Sequence, residues 1–311
     1  MSLFLGIDTS NYTTSVAVIA SDGRVIQKKR LLPVKAGERG IRQSDAVFHH
    51  TKAYPELLED LMKAVSEPIS AVGVSISPTT EEGSYMPCFL VGESVATALS
   101  SALNVPLFKF SHQQGHIAAA LYSANKTELF SGKFIAFHIS GGTTDAVLCE
   151  CGNNTMKITP VASSNDLKAG QAVDRIGVKM GLLFPCGKEL EKLALKSEKI
   201  YKNKIKLFDG DCSLSGLENK CLKMLQSGVS NEDTAKFLLS YIADTLSEMV
   251  KDIFGKYGEL PLVFAGGVMS NSIIREIITS RFNASFAEPE FSCDNAAGIA
   301  LLAKQNYEQS R

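Results

Sequence analysis

The sequence predicts a duplicated α/β protein made of two mixed-sheet lobes, and three observations predict it. Gly6-Ile7-Asp8-Thr9-Ser10, followed by Ser15-Val16-Ala17-Val18, reads as strand, small polar turn, returning strand. The same unit recurs at His138-Ile139-Ser140-Gly141-Gly142-Thr143-Thr144, followed by Asp145-Ala146-Val147-Leu148. Helix-period and strand-period stretches then alternate after each unit, as parallel strands with crossover helices require.

In chain order, buried strands are expected at 3–7 and 15–20, a hairpin turn at Ser21-Asp22-Gly23, and a third strand at 25–30. Leu57, Leu58, Leu61, Met62 and Val65 recur at helical spacing and predict a helix over 48–65. A strand at 71–77, a helix at 91–103, a short strand at 105–108 and a helix at 112–122 complete the first lobe, 1–125. The second lobe, 126–311, opens with strands at 134–139 and 145–151. It continues with a long amphipathic helix at 232–254, a strand at 262–265, a helix from about 270 and a last helix at 294–303.

Composition narrows the function classes. At 311 residues the chain is long enough for two cores, and its net charge of −1 gives no global basic field for nucleic acid. A local group, Lys192, Lys196, Lys199, Lys202, Lys204 and Lys206, reads most simply as a solvated face. The seven cysteines are an odd number with no Cys-x-x-Cys pair, so neither a disulfide framework nor a zinc ribbon is indicated. No signal peptide or apolar run of membrane-spanning length is present, so a cytoplasmic protein with reduced thiols and no membrane association is expected.

Two groups of residues carry chemistry. Small polar turns expose consecutive backbone N–H groups to an anion, and glycine lets the backbone approach closely. Two such turns facing across a nucleotide cleft form the phosphate clamp of the actin, sugar-kinase and Hsp70 superfold, and Gly266-Gly267 at a helix start suits an adenosine. His112 and His116, four residues apart on a helix, project from one face and can grip one divalent metal. Asp294, at or near a helix cap, would give a His, His, Asp set with open positions, the pattern of a working metal. A chance pair on a solvated helix is the alternative.

The motifs, in register along the chain, resemble the universal tRNA N6-threonylcarbamoyladenosine transferase family, also known as the glycoprotease or O-sialoglycoprotein endopeptidase-like family. Gly6-Ile7-Asp8-Thr9-Ser10, the two histidines and Ser140-Gly141-Gly142 match its opening, metal and turn motifs. Ala169-Gly170-Gln171-Ala172-Val173-Asp174, Pro185-Cys186-Gly187 with Glu191, and Ser213-Leu214-Ser215-Gly216-Leu217 follow in order. Ala265-Gly266-Gly267-Val268-Met269-Ser270-Asn271 and Asp294-Asn295 complete the set. The resemblance implies metal-assisted transfer of threonylcarbamoyl from threonylcarbamoyl-AMP to the exocyclic amine of the tRNA adenosine beside the anticodon. It implies iron or zinc on His112, His116 and Asp294, and the adenylate on His138, Ile139, Ser140, Gly141, Gly142, Asp174, Gly187, Glu191 and Asn271. Asp8 is a candidate catalytic acid. A homologous non-catalytic subunit and a small ATPase are the implied partners.

The chain also departs from the family pattern. Tyr12 and Thr13 replace two acids of the first turn, Thr143 replaces a histidine, and Ser77-Pro78-Thr79 replaces Gly-Pro-Gly. Gln114 stands where the family has a glutamate between the histidines. These changes suggest a divergent paralogue, and a nucleotide-binding partner subunit without chemistry of its own is the competing class. A kinase or ATPase on the same fold, with Asp8 for Mg²⁺ and Asp145 as base, leaves the histidine helix unexplained. Zinc proteolysis is excluded, because Gln113 stands where that chemistry needs a glutamate to take a proton.

Overall fold

The first turn is built on two strands, β1 (Leu3–Ser10) and β2 (Thr13–Ala20), buried along their whole length. The computed structural model describes residues 2–10, 12–33, 41–152, 155–291 and 296–310. They fall into two units: unit 1 holds 1–130, 151–157 and 290–311, and unit 2 holds 131–150 and 158–289.

In unit 1, β3 (Val25–Leu31), β4 (Ile69–Ser77) and β5 (Leu107–Ser111) complete a sheet of order β3-β2-β1-β4-β5. The first three strands are antiparallel, and β4 and β5 run parallel to β1. Side chains alternate across a strand, so Leu5 and Ile7 face one side and Gly6 the other. On the first side α1 (Gln43–Met62) and α2 (Phe89–Leu103) supply Tyr54, Leu57, Leu61 and Ala96 to a core with Leu5, Ile7, Val16, Val18, Val72 and Val74. On the other side lies α9 (Ala297–Gln309), which also packs on α3 (His112–Ser123).

Unit 2 repeats this path. Strands β6 (Lys133–Ile139), β7 (Thr144–Gly152), β8 (Thr155–Ser163), β9 (Leu262–Ala265) and β10 (Ala284–Phe286) have the order β10-β9-β6-β7-β8. In both sheets the first two strands are antiparallel, the third lies beyond the second, and the last two run parallel to the first, so the predicted duplication is present. The core lies under α4 (Ala169–Lys179), α5 (Gly187–Ala194), α6 (Ser215–Gln226), the long α7 (Asn231–Tyr257) and α8 (Ser272–Thr279).

Unit 1 also takes in 126–130, 151–157 and the C-terminal segment 290–311, all of them beyond residue 125. The last helix, grouped by sequence with the lobe 126–311, packs within unit 1. Its small residues explain why: a Cβ on Gly6 would run into the Ala296 carbonyl and the Ala300 amide, so only a glycine lets α9 lie so close to β1.

The helix α1 begins five residues earlier than its apolar spacing indicates, at Gln43, and carries the fully buried His50. The His50 Nδ1 is 2.8 Å from Thr14 Oγ1. Burial pulls its pKa from the ordinary 6.5 down to about 4, against smaller opposing contributions from Asp8 and the Ser10 backbone. The unfolded chain therefore binds this proton more tightly than the folded one. Stability should fall as pH drops below 6.5 and the loss should be complete near pH 4, a total of about 3 kcal/mol. Urea unfolding of wild type and His50→Asn at pH 7 and pH 4.5 checks this. The difference between the two must move against wild type on acidification, and a constant difference refutes it.

Candidate active site

The histidine helix owes its start to a capping box. Ser111 Oγ accepts from Gln114 N at 3.2 Å, and Gln114 Oε1 accepts from Ser111 N at 2.8 Å. The Gln114 amide also donates to the Met156 carbonyl at 3.0 Å. The residue standing for the family's glutamate thus anchors the helix by neutral hydrogen bonds.

One turn apart on this helix, His112 and His116 bring their Nε2 atoms to 2.9 Å, with ring centroids 4.3 Å apart. Behind them the buried Asp8, at the end of β1, lies 3.2 Å (Oδ1) and 3.0 Å (Oδ2) from His112 Nδ1. Ser75 of β4 donates a short hydrogen bond to Asp8 Oδ1. A carboxylate on Nδ1–H fixes the ring and its tautomer and turns the Nε2 lone pair toward the second imidazole. Asp8 is thereby placed as a positioning residue.

This donor set fits a divalent ion. Two nitrogens bound at about 2.1 Å in tetrahedral geometry lie about 3.4 Å apart, so the pair, 2.9 Å apart here, would open by about half an ångström to hold an ion. No cluster of three His, Cys, Asp or Glu able to hold an ion occurs among the described residues, and the third expected ligand, Asp294, lies outside them. A Cβ on Gly298 would collide with the Gly115 carbonyl, so the first turn of α9 meets the turn of α3 that joins the two histidines.

Unit 2 contains a pocket of about 590 Å³ lined by Ser140, Gly141, Gly170, Asp174, Pro185, Gly187, Lys188, Glu191, Gly267 and Asn271, among others. That volume suits a nucleotide-sized ligand. Six of the nine residues expected at the adenylate converge here: Ser140, Gly141, Asp174, Gly187, Glu191 and Asn271. The other three do not line it. Gly142 is exposed, Ile139 is wholly buried in the core and His138 is half-buried on β6 opposite Asp145.

The turn after β6 closes on itself, with Ser140 Oγ accepting from Gly142 N at 3.2 Å and Thr143 N at 3.1 Å. Gly170 of α4 packs on it so tightly that a Cβ would come within 2.6 Å of the Ser140 carbonyl. The turn after β9 is as tight: Gly266 has φ +100° and its Cβ position is filled by the Ile139 carbonyl.

Three lining side chains each spend one polar atom on structure. Asp174 Oδ1 accepts from Cys186 N at 2.8 Å, and Glu191 Oε1 accepts from Ser272 N at 2.6 Å and Ser272 Oγ at 2.5 Å. Asn271 Oδ1 caps α8 by accepting from Ile274 N at 3.1 Å. Asp174 Oδ2, Glu191 Oε2 and Asn271 Nδ2 have no partner among the described residues. Lys188 adds a cation to the same wall.

Sequence reading missed Ser75, which buttresses Asp8, and Asp166, which anchors the Ser213-Leu214-Ser215 motif. Burial raises the Asp166 pKa, but hydrogen bonds from Ser213, Ser215, Leu214 and Leu167 outweigh it and hold the carboxyl well below the usual range. Neither residue lies in a sequence motif. Asp145, weighed as a base, is a strand-end acid whose pKa is raised by burial, opposed by Lys168 at 3.9 Å.

The duplicated sheets define the class. The fold is that of the actin, sugar-kinase and Hsp70 superfold, shared with HypF of T. kodakarensis (TM-score 0.57, 14% identity, 99% of this chain and 48% of that one). A ROK family glucokinase from Streptomyces griseus, in complex with glucose and AMPPNP, also superposes (TM-score 0.51, 11% identity, 97% and 98% covered). Within that class the family is specific. The chain belongs to the tRNA N6-adenosine threonylcarbamoyltransferase family, whose model matches residues 26–301. The enzyme of that name from Kosmotoga olearia is 30% identical over 99% of this chain and 93% of its own.

Proposed function

We propose that this protein transfers threonylcarbamoyl from threonylcarbamoyl-AMP to the N6 amine of the tRNA adenosine beside the anticodon. The observation that carries the proposal is the pocket of unit 2, where six residues expected at an adenylate converge and three keep a polar atom available. Asp174 and Glu191 suit the ribose hydroxyls, because a carboxylate accepts from both. The Ser140-Gly141 turn, the start of α5 at Gly187 and the Lys188 ammonium offer donors and charge to the phosphate.

The reaction needs no covalent nucleophile. The amine bonds to the carbamoyl carbon, the bond from that carbon to the phosphate oxygen breaks, AMP leaves with its electron pair, and one amine proton is released to water. Holding the adenylate fixed supplies much of the rate, since it turns an encounter into a positioned attack. A divalent iron or zinc ion on His112, His116 and Asp294 would polarise or orient the carbamoyl group. Asp8 and Ser75 keep His112 aimed. A homologous non-catalytic subunit and a small ATPase are proposed partners.

The second reading is a nucleotide-binding subunit without chemistry. It is favoured by the first turn, where Tyr12 is 37% exposed and Thr13 is buried in place of two acids. Labelled threonylcarbamoyl-AMP, unmodified tRNA and the partner subunits separate the readings. Label must appear on tRNA, and AMP bound without transfer favours the subunit. Asp174→Asn and Glu191→Gln should each weaken AMP binding by about tenfold, a loss of one charge-assisted hydrogen bond, as measured by calorimetry. Unchanged affinity in both would remove the pocket from the proposal.

A further inference from the structure

Between α5 and α6, residues 197–207 form neither helix nor strand, yet from Tyr201 onward their side chains alternate between half-buried and exposed. Tyr201, Asn203, Ile205 and Leu207 are half-buried, while Lys202, Lys204, Lys206 and Phe208 are exposed. This is the alternation of an extended chain, in which every second side chain repeats at about 6.6 Å.

The inward side is pinned at three points. Asn203 donates from both its backbone N and its Nδ2 to Asp244 Oδ2, each at 2.9 Å, and Arg281 holds Asp244 at 2.7 Å. The Tyr201 ring meets Phe237 at 5.3 Å, and Leu207 packs on the core. An exposed row of lysines is usually a mobile solvated face, but this one is set on a fixed backbone. No acidic residue occurs from Lys199 to Phe208. Lys199 is paired with Asp233 at 2.7 Å. Among the described residues Lys202, Lys204 and Lys206 join no ion pair, and Lys206 lies 5.4 Å over the exposed Phe208 ring.

We propose that Lys202, Lys204 and Lys206 form a rail for the phosphates of an RNA strand, with Phe208 at its end as a surface for a base. The repeat of the three cations is close to the separation of successive phosphates along a strand. Cations held in a row release counterions from a polyanion without ordering flexible side-chain partners first. The location also fits: α5, about 12 Å long, has its first residue in the adenylate pocket and its last three residues before the strap. With a net charge of −1, RNA binding by this chain calls on a local strip of this kind or on a partner's surface. The naming of tRNA as the strand rests on the proposed function; the rail rests on the alternation and the anchors.

Binding of labelled unmodified tRNA is measured by anisotropy between 50 and 200 mM salt. The variants are Lys202→Ala/Lys204→Ala/Lys206→Ala, the same three changed to Arg, and a charge-matched control, Lys28→Ala/Lys52→Ala/Lys63→Ala. The triple alanine variant should bind at least about tenfold more weakly, with a slope of log affinity against log salt smaller by about two. The arginine variant and the control should match wild type, and calorimetric AMP affinity should be unchanged in all. Equal slopes for wild type and the triple alanine variant overturn the rail and leave the proposed transfer standing. Loss of tRNA affinity in the triple alanine variant, alongside a wild type that transfers no label, keeps the rail and rejects the transfer.

Discussion

His116→Ala is expected to abolish metal retention and to lower transfer at least about a hundredfold, while thermal unfolding stays within a few degrees of wild type. The side chain is half-buried on α3, and the helix is held by its capping box and by α9, so the backbone does not depend on the imidazole. The proposed metal site does depend on it, since His112 Nε2 faces His116 Nε2 at 2.9 Å. Asp8→Asn should fall between the two, with metal affinity down by about 10–100-fold, because an amide holds the His112 tautomer less firmly than a carboxylate. Metal content after dialysis, melting temperature and single-turnover transfer are the measurements. A His116→Ala protein that keeps both its metal and its activity would falsify the proposed donor set.

Gly298→Ala should have the second large effect, on the frame. One methyl group would have to occupy the place of the Gly115 carbonyl oxygen, and backbone cannot rotate away as a side chain can. The helices must separate, which opens the packing of α9 on β1 and β4 as well. A loss of about 3 kcal/mol or more is expected, larger than for Ala300→Gly on the same helix, and metal affinity should fall with it. Chemical denaturation and metal titration of the two variants test this. Wild-type stability in Gly298→Ala would show that the crossing is not as close as described.

Much of this architecture was legible because its signals are local. A buried strand, a turn of small residues and a helix with two histidines one turn apart each declare themselves within about ten residues. Elements without a local signal escaped. Strand β8 carries polar Thr155, Lys157 and Thr159 along one side, β10 is three residues long, and α4 contains Gly170 and Gly177 among its eleven residues. Gly177 is there because a Cβ would run into Cys186, a contact invisible in sequence. The expected pocket residues were found through resemblance, and their geometry explains the pattern: Asp174, Glu191 and Asn271 each brace a neighbouring element while lining the pocket. His138 and Ile139 were included by adjacency to a real turn, where β6 turns one side chain inward and leaves the other half-exposed.

The seating of α9 also sets a schedule for protein synthesis. Residues 297–309 leave the ribosome only after all of residues 131–289 have been made, yet they cover a face of β1, which is translated before that whole stretch. The nascent chain must therefore carry an open sheet surface through most of its elongation, exposed to chaperones and to neighbouring nascent chains. A ribosome stalled before codon 297 would hold a first sheet without the helix that packs on β1, β2 and β4.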